Sequence, residues 1–176
     1  MPPGFFLKMF SALKRKKSSS KPKVASVLGE YRTGALGIHR YSRTLLLTNG
    51  QKLDEEVSLH KGLGLIHIKE GPNTIGAISL TRVDDNFMAR GVSGGALILG
   101  INVEKEFQKM GLARRMHEEA EKLIAPHLGV SILYLCPNGR RSRLVAEKMG
   151  FSWVMQNGKR VKNSDGLFIM SKTLKK

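Results

Sequence analysis

Six residues in the middle of the chain have the spacing of an anion-binding turn. The segment Gln108-x-x-Gly111-x-Ala113 lies between an apolar, strand-like run at 96–103 and a stretch of helical periodicity. The first N–H groups of a helix have no intrahelical partner and lie at the positive end of the helix dipole. Glycine and alanine leave these groups accessible. The segment therefore predicts a phosphate-like anion site at a strand–helix junction.

The elements that must position this turn are readable in the second half of the chain. The cluster Glu70-Gly71-Pro72-Asn73 divides two β-rich runs and predicts a hairpin, and Gly100 inside the next run indicates a bulge or a bend. The sequence predicts strands at 63–69, 74–83 and 96–103, a helix at 112–125, a strand at 131–136, a helix at 140–149 ended by Gly150, and closing strands at 152–156 and 167–174. This order predicts an α+β or α/β sandwich around a mixed sheet.

Residues 24–61 are less regular and leave alternatives open. A helix between positions 34 and 50 fits the spacing of Leu36, Arg40, Arg43 and Leu47, and a strand at 44–48 ending in the Asn49-Gly50 turn fits equally well. A short helix is predicted at 53–60, because acidic residues at 54–56 suit a first helical turn. Asp84-Asp85-Asn86 predicts another turn.

Charge and cysteine usage limit the class of protein. The chain has 30 Lys and Arg against 14 Asp and Glu, a formal charge of +16, which favours contact with polyanions such as nucleic acid, acidic proteins or anionic lipid. The single cysteine, Cys136, excludes an internal disulfide and favours a reducing compartment. No apolar run is long enough to span a membrane. An intracellular, cytoplasmic protein is expected, with an organelle or a virion as alternatives.

The first 25 residues differ in character from the domain predicted at 26–176. Residues 1–29 hold seven basic side chains and no acidic one, and Phe6, Met9, Phe10 and Leu13 have the spacing of a short amphipathic helix. This basic arm is compatible with an organelle transit peptide, with a docking arm for nucleic acid or an acidic partner, or with a disordered tail.

The ordered motifs of the second half resemble the GNAT superfamily of acyl-coenzyme A-dependent N-acetyltransferases. The resemblance covers residues 62–174 and rests on the 108–113 turn, on Asn138 after the following strand, and on Gly150-Phe151 after the second helix. It implies a mixed, mostly antiparallel twisted sheet flanked by helices, and acetyl-coenzyme A as co-substrate. The cofactor-binding residues it implies are Ile101, Val103, Gln108, Lys109, Met110, Gly111, Leu112, Ala113, Arg114 and Asn138. Lys109, Arg114 and Arg115 are expected to add positive charge near the pyrophosphate.

Two chemical groups usual in that family are missing from their usual positions. Residues 95–103 contain no ionisable side chain, and Ala146 occupies the position of the tyrosine that protonates the departing thiolate in many members. Tyr134 is the one candidate substitute, so the catalytic residues stay unknown. Two functions follow: an N-acetyltransferase acting on an amine of a protein or a small molecule, or a non-catalytic component of a larger assembly such as a virion.

No metal site is predicted, because His39 and His60 have no cysteine or carboxylate partners at the spacing of metal ligands. His117 and His127 are expected on the solvent-facing side of the first helix or after it.

Overall fold

The computed structural model describes residues 21–28, 39–83 and 94–175. The strands are β1 (Val24–Leu28), β2 (His39–Leu47), β3 (Lys52–His60), β4 (Leu63–Glu70), β5 (Asn73–Arg82), β6 (Ala96–Val103), β7 (Ile132–Leu135), β8 (Ser152–Trp153), β9 (Met155–Gln156), β10 (Lys159–Arg160) and β11 (Met170–Thr173). The helices are α1 (Leu112–Glu119), α2 (Ala125–His127) and α3 (Gly139–Lys148), with a 3-10 turn at Lys105–Phe107 and a π turn at Ala120–Ile124.

Nine strands form one sheet in the order β1-β2-β3-β4-β5-β6-β7-β11-β8. Neighbouring strands are antiparallel except β6 and β7, which are parallel because α1 and α2 cross between them. Strands β9 and β10 form a separate hairpin around Asn157-Gly158, where both residues have positive φ. The sheet is thus mixed and mostly antiparallel with few helices, which confirms the predicted fold class.

Helix α1 covers one face of the sheet and supplies much of the core. Leu112, Met116, Ala120 and Ile124 are each at most 1% exposed, the spacing of a helical stripe. The π turn brings Ile124 against β4, where an added Cβ on Gly64 would lie 2.1 Å from Ile124 Cγ2. Glycine at position 64 is therefore required for the helix to pack this closely on the sheet.

A second, smaller core lies on the other face of the sheet. Val83, Leu97, Tyr134 and Ile169 pack together there, whereas their strand neighbours Ala96, Leu133 and Met170 belong to the main core. Successive residues of a strand point to opposite faces, so this alternation places the two cores on either side of the sheet.

The helix predicted at 53–60 is wrong, because these residues form β3. Leu53, Val57 and Leu59 point into the core with a period of two, and Glu55 is buried among them. A helix over the described part of 34–50 is also wrong. Residues 39–47 form β2, and the alternative prediction of a strand into the Asn49-Gly50 turn is confirmed, with Gly50 at φ +85°.

Helix α3 is confirmed, but its buried face differs from the prediction. The helical pattern at 140–149 predicts that Leu144, Val145 and Met149 point inward. Leu144 and Val145 are instead 42% and 41% exposed, and Ala146 is the buried residue. Gly150 ends the helix at φ +88°, as predicted. Its N–H donates to Glu147 O at 3.0 Å and that of Phe151 to Ala146 O at 3.1 Å, the two hydrogen bonds of a Schellman motif.

Two predicted elements lie outside the described residues: the amphipathic helix of the arm and the turn at 84–86. The end of the arm is described from Lys21, and β1, which begins at Val24, is a strand at the edge of the sheet. No helix in the described ranges is long and apolar enough to cross a membrane.

A buried cluster of four charges joins α1 to strands β2 and β3. Arg43 donates to Glu55 and to Glu119, with both nitrogen–oxygen distances 2.6 Å, and Arg115 pairs with Glu119 at 2.8 Å and with Glu55 at 3.6 Å. Glu55 and Glu119 are 0% and 3% exposed. Each carboxylate meets two guanidinium groups, and Lys122 Nζ also lies 3.9 Å from Glu119, so both buried carboxylates are neutralised within the described residues.

Replacing Arg43 by alanine should destabilise the fold severely. The substitution leaves two buried carboxylates to share one guanidinium, and removing one partner of a buried ion pair costs about 3–5 kcal/mol. Urea unfolding followed by circular dichroism measures the change. Arg40→Ala, an exposed arginine on the same strand, is the control and should change the unfolding free energy by less than about 0.5 kcal/mol. Equal effects of the two substitutions would contradict the structural role of the cluster.

Candidate functional site

Strands β6 and β7 separate after a short paired segment and leave a cleft between them. Ala96 pairs with Leu133 and Leu97 with Tyr134, and the ladder ends there. Beyond this point a cleft of about 1090 Å³ is bordered by residues 98–103 of β6 and by 135–138 after β7. The N-terminus of α1 and one side of α3 complete its walls.

A bulge in β6 bends the strand where the cleft begins. Ser79 of β5 pairs with Gly100 and Leu80 pairs with Ile98, so Leu99 is the extra residue. Leu99 is 54% exposed although Ile98 is buried. A bulge increases the local twist and turns a strand away from its partner, which accounts for the separation of β6 from β7. The predicted bulge is thereby confirmed.

The backbone groups of the distal half of β6 face the cleft. Glu104 donates its N–H to Ile75 O of β5 at 2.9 Å. Because the N–H and C=O groups of successive strand residues point in opposite directions, those of Val103 and Ile101 point away from β5 and toward the cleft. The parallel pairing of β6 with β7 ends at Leu97, so these groups form no ladder hydrogen bonds with β7.

The turn from β6 into α1 has the backbone conformation that an anion site needs. Lys109 has φ +71° and Gly111 has φ +88°, both in the left-handed region. Gly111 is the N-cap of α1, no side chain of the described residues caps this helix, and its first turn has no acidic residue. A Cβ on Gly111 would meet nothing within 4 Å, so its positive φ rather than crowding requires glycine.

Gln108, in the turn before α1, connects β6 to α3. Its Nε2 donates to Val103 O at 3.0 Å, and its Oε1 accepts from Arg141 Nη2 of α3 at 3.2 Å. The side chain therefore fixes the turn to β6 and holds a guanidinium over the cleft. Sequence reasoning missed Arg141, although the basic run after Asn138-Gly139 at the start of α3 is visible in the sequence.

The positive charge near the turn has a different origin from the one predicted. Arg115, expected beside the anion, lies in the buried cluster with Glu55 and Glu119. Arg114 pairs with Glu118 at 2.8 Å on the helix surface, and Lys109 is exposed at the cleft. Lys109, Arg114 and Arg141 are thus the cations that line the cleft beside the helix start.

The structure brings nine of the ten predicted cofactor-binding residues together in the lining of the cleft. These are Ile101, Val103, Gln108, Lys109, Gly111, Leu112, Ala113, Arg114 and Asn138. The side chain of Met110 instead packs in the main core, 7% exposed. Tyr134 lies in the second core, on the other face of the sheet, and is not among the described residues that line the cleft. Burial raises the pKa of its phenol.

Cys136 lines the cleft at the point where the strands separate, and it packs against the second core. Burial raises the pKa of its thiol, and the carboxylate of Asp165 raises it further. The side chain is therefore a neutral thiol at pH 7.

His117 contradicts the prediction of a solvent-facing position, because it is 2% exposed. Its Nδ1 lies 2.8 Å from Glu121 Oε1, its ring meets Phe151 edge-on at 5.2 Å, and Lys172 of β11 also contacts Glu121. Burial lowers the pKa of this imidazole more than Glu121 raises it, and Lys172 lowers it further. His117 is thus held neutral, with its Nδ1–H donated to Glu121.

The lowered pKa of His117 predicts a loss of stability in mild acid. The unfolded chain binds a proton near pH 6.5 and the folded chain binds it at lower pH, so the unfolding free energy should fall as pH drops below about 6.5. Urea titrations at about pH 7.5 and about pH 5.5 measure this fall. It should shrink in His117→Gln and persist in His127→Gln, whose side chain is exposed. An unchanged fall in His117→Gln would assign it to other groups.

Comparison with solved structures places GNAT proteins among the structural neighbours. A protein assigned to the GNAT family from Desulfovibrio desulfuricans is 19% identical, with 64% of this chain and 69% of that chain covered and a TM-score of 0.49. The ribosomal-protein-S18-alanine N-acetyltransferase of Escherichia coli is 18% identical, with 66% and 72% covered and a TM-score of 0.47. A GNAT acetyltransferase from Elizabethkingia anophelis, solved with acetyl-CoA bound, is 18% identical, with 64% and 77% covered and a TM-score of 0.46.

Comparison with curated protein sequences finds no match. The profile of the acetyltransferase (GNAT) family matches residues 35–151, which is more than half of the chain and includes all of β2–β7 together with the 108–113 turn. The predicted resemblance is confirmed: the chain belongs to the acetyltransferase (GNAT) family.

Proposed function

We propose that this protein is an acetyl-coenzyme A-dependent N-acetyltransferase that transfers an acetyl group to an amine of a protein or a small molecule. The observation that carries the proposal is the uncapped start of α1, which opens into the cleft between β6 and β7 in a member of the acetyltransferase family.

The residues at the helix start fit a pyrophosphate. The first N–H groups of α1 lack a side-chain acceptor among the described residues, no carboxylate lies in its first turn, and the space above Gly111 is open. Lys109 and Arg141 add positive charge at the same wall. We assign pyrophosphate binding to the N–H groups of 111–114, supported by these cations.

The wall formed by β6 suits the extended arm of the cofactor. The N–H and C=O groups of Ile101 and Val103 point into the cleft, and an arm with amide groups can pair with a strand edge of this kind. Gln108 already occupies Val103 O, so Val103 N–H and the groups of Ile101 are the ones left to bind. Asn138 faces them from the opposite wall.

Acetyl-coenzyme A supplies an activated thioester, and the chain must bring a neutral amine to it. Strand β6 provides no ionisable side chain, and the imidazole and carboxylates that line the cleft, those of His117, Glu118 and Glu121, lie on α1 and the π turn. Holding two reactants in contact by itself removes a large part of the barrier.

The non-catalytic alternative is not favoured by the family match or by the open cleft. Binding of nucleic acid or an acidic partner by the basic arm stays a prediction, because residues 1–20 lie outside the described part of the chain.

Ala113→Glu should weaken acetyl-coenzyme A binding without weakening the fold. A carboxylate in the first turn is favourable for the helix dipole, but it repels the phosphates that we place there. We expect a dissociation constant at least about tenfold higher by calorimetry, with an unchanged melting temperature of the free protein. Ala25→Glu, the same change at an exposed position on β1, is the matched control and should leave the affinity unchanged.

Binding itself is the first test of the proposal. The wild-type protein should be stabilised against heat by millimolar acetyl-coenzyme A. No stabilisation, or equal losses of affinity in Ala113→Glu and Ala25→Glu, would reject the assigned phosphate site. Mass spectrometry of a whole lysate incubated with labelled acetyl-coenzyme A would then identify the acceptor amine.

Tyr134→Phe should retain most of the turnover. Its hydroxyl belongs to a side chain of the second core rather than to the cleft lining, so we expect kcat to change by less than about threefold. Steady-state kinetics with the identified acceptor provides the measurement. A loss of about 10²-fold or more, the scale of a lost general acid, would establish Tyr134 as the proton donor after all.

A further inference from the structure

The hairpin of β9 and β10 carries cations that are held by aromatic rings. The Arg160 guanidinium carbon lies 4.5 Å from the centre of the Trp153 ring and 5.9 Å from that of Phe168, and Lys162 Nζ lies 4.8 Å from the Phe168 ring centre. The two rings meet edge-to-face at 6.0 Å. We call Trp153, Arg160, Lys162 and Phe168 the aromatic–basic patch.

The positive charge of this patch is not neutralised by the rest of the described chain. Neither Arg160 nor Lys162 forms an ion pair with a described carboxylate, and Lys159 beside them forms none. Some other basic side chains, such as those of Arg43, Lys69 and Lys172, do pair with described carboxylates. Between positions 148 and 176 the sequence has one acidic residue, Asp165.

Contact with the rings restricts the cations in advance of any binding. A free arginine or lysine side chain loses rotamer entropy when it pairs with an anion, and much of that loss is already incurred where the chain lies on an aromatic face. An incoming anion therefore meets positive charge in a fixed position, which raises the affinity that one ion pair can provide.

Apolar side chains border the patch and restrict the kind of partner. Met155, the cross-strand neighbour of Arg160, is 55% exposed, and Leu167 and Phe168 are 38% and 39% exposed. A partner that covers this surface must present anionic and apolar groups together. An acidic polypeptide segment with interspersed apolar side chains has both.

A nucleic acid fits less well, because base stacking needs open ring faces. Arg160 lies over the Trp153 ring, and Lys162 and Arg160 lie over the Phe168 ring, so a base would first have to displace a cation. An acidic side chain binds these cations without moving them from the rings.

We propose that the aromatic–basic patch is a docking surface for an acidic, partly apolar polypeptide segment of a partner protein. The surface lies beside the cleft, since Trp153 pairs with Met170 and Met170 with Leu135, which places it two strands, or about 10 Å, from the β7 wall. The proposal does not depend on acetyl transfer, because it concerns binding of a peptide and not of the cofactor.

Trp153 is the single tryptophan of the chain, so its fluorescence reports directly on the patch. The full-length protein is titrated with a synthetic peptide of Glu-Leu-Glu repeats at low and at physiological salt. We expect saturable binding with a change in tryptophan emission, weakened by salt. The same peptide with glutamine in place of glutamate should not bind.

The double variant Arg160→Gln/Lys162→Gln should weaken peptide binding about tenfold, the scale that two partly exposed ion pairs contribute together. Because tryptophan emission itself depends on Arg160, affinities of variants are measured by anisotropy of a labelled peptide. Arg40→Gln/Lys52→Gln removes the same charge from exposed positions on β2 and β3 and should change the affinity by less than about twofold. Arg160→Lys should keep most of the affinity, since it retains the charge.

Three results would overturn the proposal. The first is the absence of saturable binding of the acidic peptide. The second is equal weakening of peptide binding by the two double variants, which would assign the binding to the general positive field of a +16 protein. The third is binding of a single-stranded oligonucleotide that depends on the patch and is tighter than binding of the peptide. Urea unfolding of each double variant verifies that it is folded, and the exposed positions of all four residues favour this.

Discussion

The orientation of α1 depends on the buried arrangement of Arg43, Glu55, Arg115 and Glu119. Four charges out of water are tolerated because each meets two opposite charges, and the same balance leaves little freedom to slide the helix along β2 and β3. The helix start is therefore fixed at the mouth of the cleft by contacts one to two turns further along the helix. Gly64 contributes the complementary constraint, since it lets Ile124 approach the sheet.

The cleft between β6 and β7 results from a local irregularity in the sheet. The extra residue at Leu99 turns β6 away from β7, and the backbone groups of Ile101 and Val103 are left without a neighbouring strand. Gln108 then connects the freed strand to the turn and to Arg141. An unpaired strand edge inside a protein is normally costly; here it borders a solvent-filled cleft next to a helix start, where polar groups of a ligand can replace water.

Features encoded in short segments were predictable from the sequence, and features that depend on distant partners were not. The 108–113 turn, the irregularity of β6 beside Gly100 and the Gly150 cap each depend on a few adjacent residues, and each is present in the structure. The predicted helix at 53–60 failed because Asp54, Glu55 and Glu56 suit a first helical turn. Glu55 instead occupies a core position of a strand, which is possible because Arg43 and Arg115 neutralise it. Nothing local in the sequence indicates those pairings.

The same distinction separates cofactor binding from acceptor recognition. In the function that we propose, phosphates and a pantetheine-like arm would be bound mainly by backbone groups, so glycine, alanine and a strand edge are sufficient signals within single segments of the sequence. His117 and Arg115 show the limit of such predictions, because both lie on α1 and both interact with residues of other elements. His117 lies against Phe151 and near Lys172, and Arg115 pairs with Glu55. An acceptor is recognised by side chains that several elements bring together, at a surface whose composition alone does not indicate its geometry. The proposed cofactor site can therefore be predicted from short segments of the sequence, whereas an acceptor site depends on how the fold brings several elements together.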